Sequence, residues 1–203
     1  MNDSYPGGSM ESLQALITRA LAGDQGAYAN LYDHYATGLY RLAYSILLDE
    51  QDSEDVLQES FIYAFRNLHR YDPERGAFHT WLYTITVSRC RNMRRRKVLP
   101  TVELVKLLAI GQEPAASHRE TPEAALARLG VRHALEHGLK TLSPRLREAV
   151  ALRYGQGLTY REMADVLGCP QKTAESRIRL AHEALARALG ESGQTLLEEL
   201  WGF

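Results

Sequence analysis

Apolar side chains recur at intervals of three and four residues along almost the whole of this chain, and strand signals are nearly absent. That period places them on one face of successive helices and predicts an all-α fold. Leu13, Leu16, Ile17 and Leu21 share a face of a helix over 10–22, closed by Gly23. Asp24 suits the N-cap of a second helix, whose stripe runs from Ala27 through Leu31, Tyr35, Leu39, Leu42 and Ala43 to Leu47, across Gly38. A third helix is expected from Asp52 or Ser53, with Glu54 and Asp55 in its first turn, where the helix dipole favours anions. Its buried face is Leu57, Phe61, Ala64, Phe65 and Leu68, so Asp52, Asp55, Gln58 and Glu59 point elsewhere. After the turn Tyr71-Asp72-Pro73-Glu74-Arg75-Gly76, a fourth helix over 78–96 buries Trp81, Leu82 and Ile85.

The helical pattern fades over 98–121, where Pro100, Gly111 and Pro114 mark an interdomain linker. It resumes at Thr121-Pro122-Glu123, a cap followed by proline at the first helical position, and predicts a helix over 122–141. Ser143-Pro144 repeats that signal for a helix over 144–154. Thr159 with Glu162 forms a capping box that opens a short helix ended by Gly168. Pro170 follows, then a helix over 171–189 and a small amphipathic tail. Two helices joined by a turn of this length spell helix-turn-helix. The organisation expected is a flexible leader (1–9), a first helical domain (10–97), a flexible linker (98–121), a second domain (122–190) and the tail (191–203).

A formal net charge of −1 conceals a segregation. Up to Ser60 the cationic side chains are Arg19 and Arg41 alone; from Phe61 to Lys97 the acidic ones are Asp72 and Glu74 alone. Two faces of opposite preference follow, one for a basic or polar protein and one for nucleic acid; ordinary solvated faces are the bland alternative. Cys90 and Cys169 are too far apart in sequence to suggest a disulfide framework, which points to a reducing, cytoplasmic setting and to inert thiols. No signal peptide is evident at the start, and no apolar run reaches the roughly 18 residues of a membrane span, so no membrane insertion is expected.

Two stretches carry chemistry. In a helix-turn-helix the N-terminal residues of the second helix reach base edges, here Gln171, Lys172, Thr173, Glu175, Ser176, Arg177 and Arg179. Arginine reads guanine, glutamine adenine and glutamate cytosine, and cations neutralise phosphates. A plain helical hairpin in a core is the alternative. The second stretch sets Tyr71, Phe78, Trp81 and Tyr83 beside Arg89, Arg91, Arg94, Arg95, Arg96 and Lys97. Aromatic platforms beside a positive groove suit single-stranded nucleic acid; core packing of the same aromatics fits the spacing equally. No phosphate-binding glycine loop, HExxH or nucleophile elbow is present, so no enzyme and no cofactor are expected. His133 and His137 stand one helical turn apart but have no completing ligands, so no metal is expected.

With these motifs read, the chain resembles the extracytoplasmic-function (ECF, group IV) sigma factors of bacterial RNA polymerase. Residues 24–96 carry YANLYDHY, DSEDVLQESF and YDPERGAFHTWLYTI before the basic tract, similar to the family's region 2. Residues 135–189 contain LSPRLREAVALRYGQGLTYREMADVLGCPQKTAESRIRLAHEALARAL, similar to region 4. The resemblance implies an all-α protein of two small helical domains, a region 2-like bundle and a region 4-like helix-turn-helix, that directs promoter recognition and melting, for a stress or envelope-response regulon. It implies that Asp52, Glu54, Asp55, Gln58, Glu59 and Phe61 meet the β′ clamp helices of core RNA polymerase. It assigns the −10 element to Tyr71, Arg75, Phe78, His79, Trp81, Arg89, Arg91, Arg94 and Arg95. It assigns the −35 element to Lys172, Thr173, Glu175, Ser176, Arg177 and Arg179, with Arg153 on a phosphate. The partners implied are core polymerase (β′ clamp helices and β flap), promoter DNA, both duplex and melted, and an anti-sigma factor. Two places depart from the pattern: Thr86-Val87-Ser88 stands where Ala-Arg-Asn is frequent, without that asparagine's contacts, and Glu175 stands where Lys or Arg is, which implies an altered −35 preference. The tail also extends past the usual end and is expected to pack on region 4 or meet a regulator. The rival reading is a free-standing helix-turn-helix regulator of duplex DNA, which leaves the acidic helix and the aromatic turn unexplained.

Overall fold

The computed structural model describes residues 12–98 and 136–201, with side chains placed as far as Ala188. The expected leader, the linker, most of the 122–141 helix and His133 lie outside them. The described secondary structure is helical throughout. Helix α1 (Leu13–Leu21) starts on Ser12, whose hydroxyl accepts from Ala15 N. Helix α2 (Gln25–Leu47) starts on Asp24, which accepts from Gly26 N at 2.8 Å and Ala27 N at 3.3 Å. Arg19 reaches over the connection to the same carboxylate at 2.6 Å and, with those amides, holds its pKa below the usual carboxylate range. Leu48, in the left-handed conformation at φ 56°, ends α2. Helix α3 (Glu50–Arg66) therefore begins earlier than the expected Asp52 or Ser53: the Asp49 side chain caps it, accepting from Asp52 N at 2.9 Å. A 3-10 turn (Leu68–Arg70) and the Asp-Pro loop lead into helix α4 (Phe78–Val98).

Helices α2, α3 and α4 pack on one another, with α1 against α2. Their core is Leu16, Leu31, Leu39, Phe61, Leu68, Phe78 and Leu82 with their neighbours.

The second domain has helical backbone at 136–141, then helix α5 (Pro144–Val150) with proline at its start. The helix expected over 144–154 does not stay regular: it widens into a π-helical turn, Ala151–Gly155. Helix α6 (Tyr160–Leu167) has the expected capping box: Glu162 N donates to Thr159 Oγ1 at 3.3 Å and Thr159 N to Glu162 Oε2 at 2.8 Å. Gly168, left-handed at φ 64°, closes it. Helix α7 starts at Gln171 and continues to Trp201, so the tail is backbone-continuous with the long helix rather than a separate segment after 190.

The two domains share a core. Leu42, Ala43 and Ile46 of α2 and Val87 and Cys90 of α4 belong to one buried cluster with Leu152, Leu167 and Ile178 of the second domain. Helix α6 packs on α4, and the π turn and α5 pack on α2. Polar ties cross the same boundary: Arg147 Nη1 donates to Ile46 O at 3.1 Å, and Tyr44 Oη to Glu136 at 2.9 Å. Burial, with the nearby Arg94 charge, lowers the Arg147 pKa.

Candidate nucleic-acid interface

Helix α3 sorts its acidic residues by face. Ser53, Val56, Leu57 and Ser60 point inward, which leaves Glu54, Asp55 and Gln58 exposed on the outer side. The apolar side chains of Ile62 and Tyr63, exposed next to this row, carry it a further turn, an extension that acidic patterning alone did not flag. Asp52 and Glu59 instead face α4. Asp52, only 13% exposed, pairs with Lys97 at 2.5 Å, and Glu59 pairs with Arg96 at 3.3 Å and Arg89 at 3.9 Å. The Asp52 carboxylate is the main reason the Lys97 ammonium stays above its usual range. Phe61 is corrected as a contact residue: it is 4% exposed, as its spacing predicts, with its ring tilted against those of Tyr32 and Phe65.

The Asp-Pro loop builds a cavity. Glu74 N donates to Asp72 Oδ1 at 3.0 Å, a local turn in which the aspartate stands in for backbone, and Tyr71 Oη reaches Gly76 O at 3.2 Å. The loop thereby folds back over the start of α4 and encloses about 390 Å³ between Arg70, Tyr71, Arg75, Thr80 and Trp81, a volume in the range of small-ligand sites. Trp81 and Tyr71 are half-buried with ring centroids 5.7 Å apart, so each keeps part of a face toward the cavity. Phe78 does not: at 1% exposure it is core, packed between Tyr35 and Tyr71, and its assignment to DNA contact is corrected. His79 lies on the adjacent turn, its ring 5.7 Å from Tyr83.

Each residue of the basic tract has an intramolecular partner. Arg89 lies over the Tyr63 ring at 4.7 Å, and Arg95 bonds Asn92. Arg91 and Arg94 hold Glu148 of the second domain at 2.8 and 3.2 Å. Glu148 is fully buried, and nothing in its sequence context distinguishes it from a solvated helix acid.

On the helix-turn-helix, Lys172 and Arg179 are exposed, while Thr173, Glu175, Ser176 and Arg177 are half-buried. Glu175 accepts from Gln171 at 2.9 Å, and Arg179 pairs with Glu183 at 2.6 Å. Arg153 braces the turn before α6, donating to Leu158 O at 2.8 Å and lying over the Tyr160 ring at 4.9 Å. Tyr154 Oη and His182 Nε2 are 2.7 Å apart, and burial raises the tyrosine pKa and lowers that of the histidine.

Models of sigma-70 region 2 and sigma-70 region 4 match residues 31–98 and 132–185. The chain is 33% identical over 195 residues to the RNA polymerase sigma-H factor of Pseudomonas aeruginosa, covering 94% of this chain and 98% of that one. It is 31% identical to the ECF RNA polymerase sigma factor SigW of Bacillus subtilis, over 85% of this chain and 94% of that one. The chain belongs to the ECF RNA polymerase sigma factors.

As a sigma factor it directs promoter-specific initiation, and the match across both domains removes the free-standing regulator as an account of the whole chain. Region 2 is the α2–α4 bundle, and region 4 holds α5, α6 and the start of α7. The structure of CnrH in complex with the cytosolic domain of CnrY matches with a TM-score of 0.62 at 28% identity, covering 86% of this chain and 94% of that one. The sigma factor RpoE of Bartonella quintana, solved with the anti-sigma factor NepR, shares the fold at a TM-score of 0.58 and 21% identity, over 80% of this chain and 96% of that one. Among the described residues no group of three or more His, Cys, Asp or Glu side chains is placed to hold a metal, and no helix is long and apolar enough to cross a membrane.

Proposed function

We propose that this sigma factor works by presenting three surfaces in turn, none of them catalytic. The exposed row Glu54, Asp55 and Gln58 on α3 docks on the β′ clamp helices of core RNA polymerase; Asp52 and Glu59 shape that row from behind through their pairs with Lys97 and Arg96. The cavity at the Asp-Pro loop captures one unpaired non-template base of the −10 element, with Trp81 and Tyr71 as walls and Arg75 at the rim. Opening DNA costs about 1.4 kcal/mol per base-pair step, and stacking a flipped base in such a pocket offsets part of that. Arg89, Arg91, Arg94 and Arg95 hold the adjoining backbone, with His79 near the rim. Region 4 meets the β flap and reads the −35 element through the N-terminal residues of α7, from Lys172 to Arg179. Arg153 acts there by bracing the turn, since its guanidinium is engaged by Leu158 and Tyr160. Glu175 would repel phosphate and accepts from a cytosine amino group in place of a cation reading guanine.

The observation that carries this reading is the cavity of Tyr71, Arg75 and Trp81 at the head of a basic helix, one domain away from a capped helix-turn-helix. Since NepR is the anti-sigma partner of a protein with this fold, an anti-sigma factor is the regulator we propose here, acting in the cytoplasm on a stress or envelope-response regulon.

Reconstituted transcription tests the proposal. The purified chain is combined with bacterial core polymerase and a genomic promoter library, and transcript starts are sequenced. Starts that share two spaced upstream elements are expected. They should be lost with Asp55→Ala combined with Gln58→Ala, and their −35 consensus should change with Glu175→Arg. Polymerase competent with another sigma factor yet without specific starts here would refute the reading; an unchanged −35 consensus would refute the role of Glu175.

A further inference from the structure

We infer that an arginine-lined cleft between α4, α5 and α7 is a binding site for an oligophosphate, a chain of linked phosphate groups recognised without any attached nucleoside. The site stands apart from the −10 and −35 readings: its own charge, volume and unmet donors define it.

Helix α4 contributes Arg91, Arg94 and Arg95 to this cleft, α5 contributes Arg145 and Glu148, and α7 contributes Arg177, around a volume of about 580 Å³. Five guanidinium groups thus face one carboxylate, a formal excess of four positive charges. Glu148 is fully buried and answers only part of that charge. Its Oε2 accepts from Arg91 Nη2 at 2.8 Å and Nε at 3.2 Å, and its Oε1 from Arg94 Nη1 at 3.2 Å. Both arginines keep N–H groups that Glu148 does not take. Arg145 is exposed and makes no ion pair among the described residues.

The deciding group is Arg177. Its Nη1 is buried and has no hydrogen-bond partner among the described residues, although its side chain lines the cleft. A cationic donor withdrawn from water and left without an acceptor is unfavourable, and an anion in the cleft would supply the acceptor. Arg147 adds to the crowding. Its Nε is also buried without a partner, and burial, with the charge of Arg94, lowers its pKa. Like charges gathered this closely repel one another until a counter-charge enters.

The lining also selects the class of anion. Guanidinium forks match the paired oxygens of a phosphate, and several forks around one space suit several phosphates. The volume lies within the range of about 300–1,000 Å³ typical of small-ligand sites, which is room for a chain rather than a single ion. The remaining lining residues are Ser88 and Leu167, so among the described residues the cleft offers a base no aromatic ring to stack on. The cavity at the Asp-Pro loop, walled by Tyr71 and Trp81, has the opposite character.

Isothermal titration calorimetry of the full chain with sodium tripolyphosphate tests the site, at one fixed ionic strength because salt screens exposed charge. One ligand per chain is expected. Arg145→Gln and Arg177→Met should each weaken binding about tenfold, a change of about 1.4 kcal/mol. Arg41→Gln, which removes an exposed arginine of α2 outside the cleft, should change it by less than about twofold. Adenosine triphosphate should bind within about threefold of tripolyphosphate, since the base finds no stacking partner. If Arg177→Met proves unfolded by circular dichroism, Arg145→Gln decides alone, its side chain being exposed. Absence of saturable binding by the parent chain overturns the site. Equal losses in Arg41→Gln and Arg145→Gln overturn it as well, because they show attraction to overall charge. Adenosine triphosphate binding more than about tenfold tighter than tripolyphosphate overturns the choice of ligand. Short random-sequence single-stranded DNA that depends on Arg145 as strongly as tripolyphosphate does makes the cleft part of the nucleic-acid path and overturns a separate site.

Discussion

Phe78 and Trp81 stand three residues apart on α4 and do different work. Phe78, 1% exposed, fills the bundle against Tyr35 and Tyr71, while Trp81 walls the cavity at the Asp-Pro loop. Phe78→Ala is expected to cost about 3–5 kcal/mol of stability, read by chemical denaturation, because it empties a packed site. Trp81→Ala should cost clearly less and should mainly weaken −10 binding. Equal losses for the two would contradict this division. The sequence held both residues at helical spacing, and spacing cannot tell a ring that closes a core from one that lines a cavity three residues on. Phe61 is the opposite case: its spacing put it on the buried face, the contact role came from the resemblance alone, and the packing of Tyr32 and Phe65 against it agrees with the spacing.

Helix α6 was the most legible element, because its signals are local. Thr159, Glu162 and Gly168 settle its ends within a few residues of chain. Thr159→Ala is expected to lower stability by about 1 kcal/mol in thermal or chemical denaturation, with little change in helix content elsewhere. Glu162, its carboxyl held low by the same box, adds stability that is present above its ordinary value of 4.5 and is lost as pH falls through its lowered value. The Thr159→Ala variant should therefore lose less on acidification than the parent; an equal loss would remove the capping box as the cause. Helix α4 was less legible. Its periodicity showed one buried side, Trp81, Leu82 and Ile85, yet Thr86, Val87 and Cys90 are buried as well. Val87 and Cys90 are covered by region 4, a helical surface far along the chain. The π turn after α5 and the early start of α3 are likewise responses to packing and to a single capping side chain.

At the scale of the whole molecule, one buried cluster takes residues from both domains, and a shared core couples their unfolding. Calorimetry of the full chain is expected to show a single unfolding transition whose calorimetric and van't Hoff enthalpies agree. Two resolved transitions would mean that the domains unfold separately and that the common core contributes little. The sequence by itself determined the helical class, the division into a bundle and a helix-turn-helix, the family, and the two charged stretches. All of these are written in local period, capping chemistry and composition, over spans of a turn or a few turns. Only the tertiary structure decided which acids face outward on α3, which aromatics line a cavity, and that Glu148 lies buried between Arg91 and Arg94. The last of these joins residues more than fifty positions apart, and no pattern along the chain encodes the burial of a charge by a distant partner.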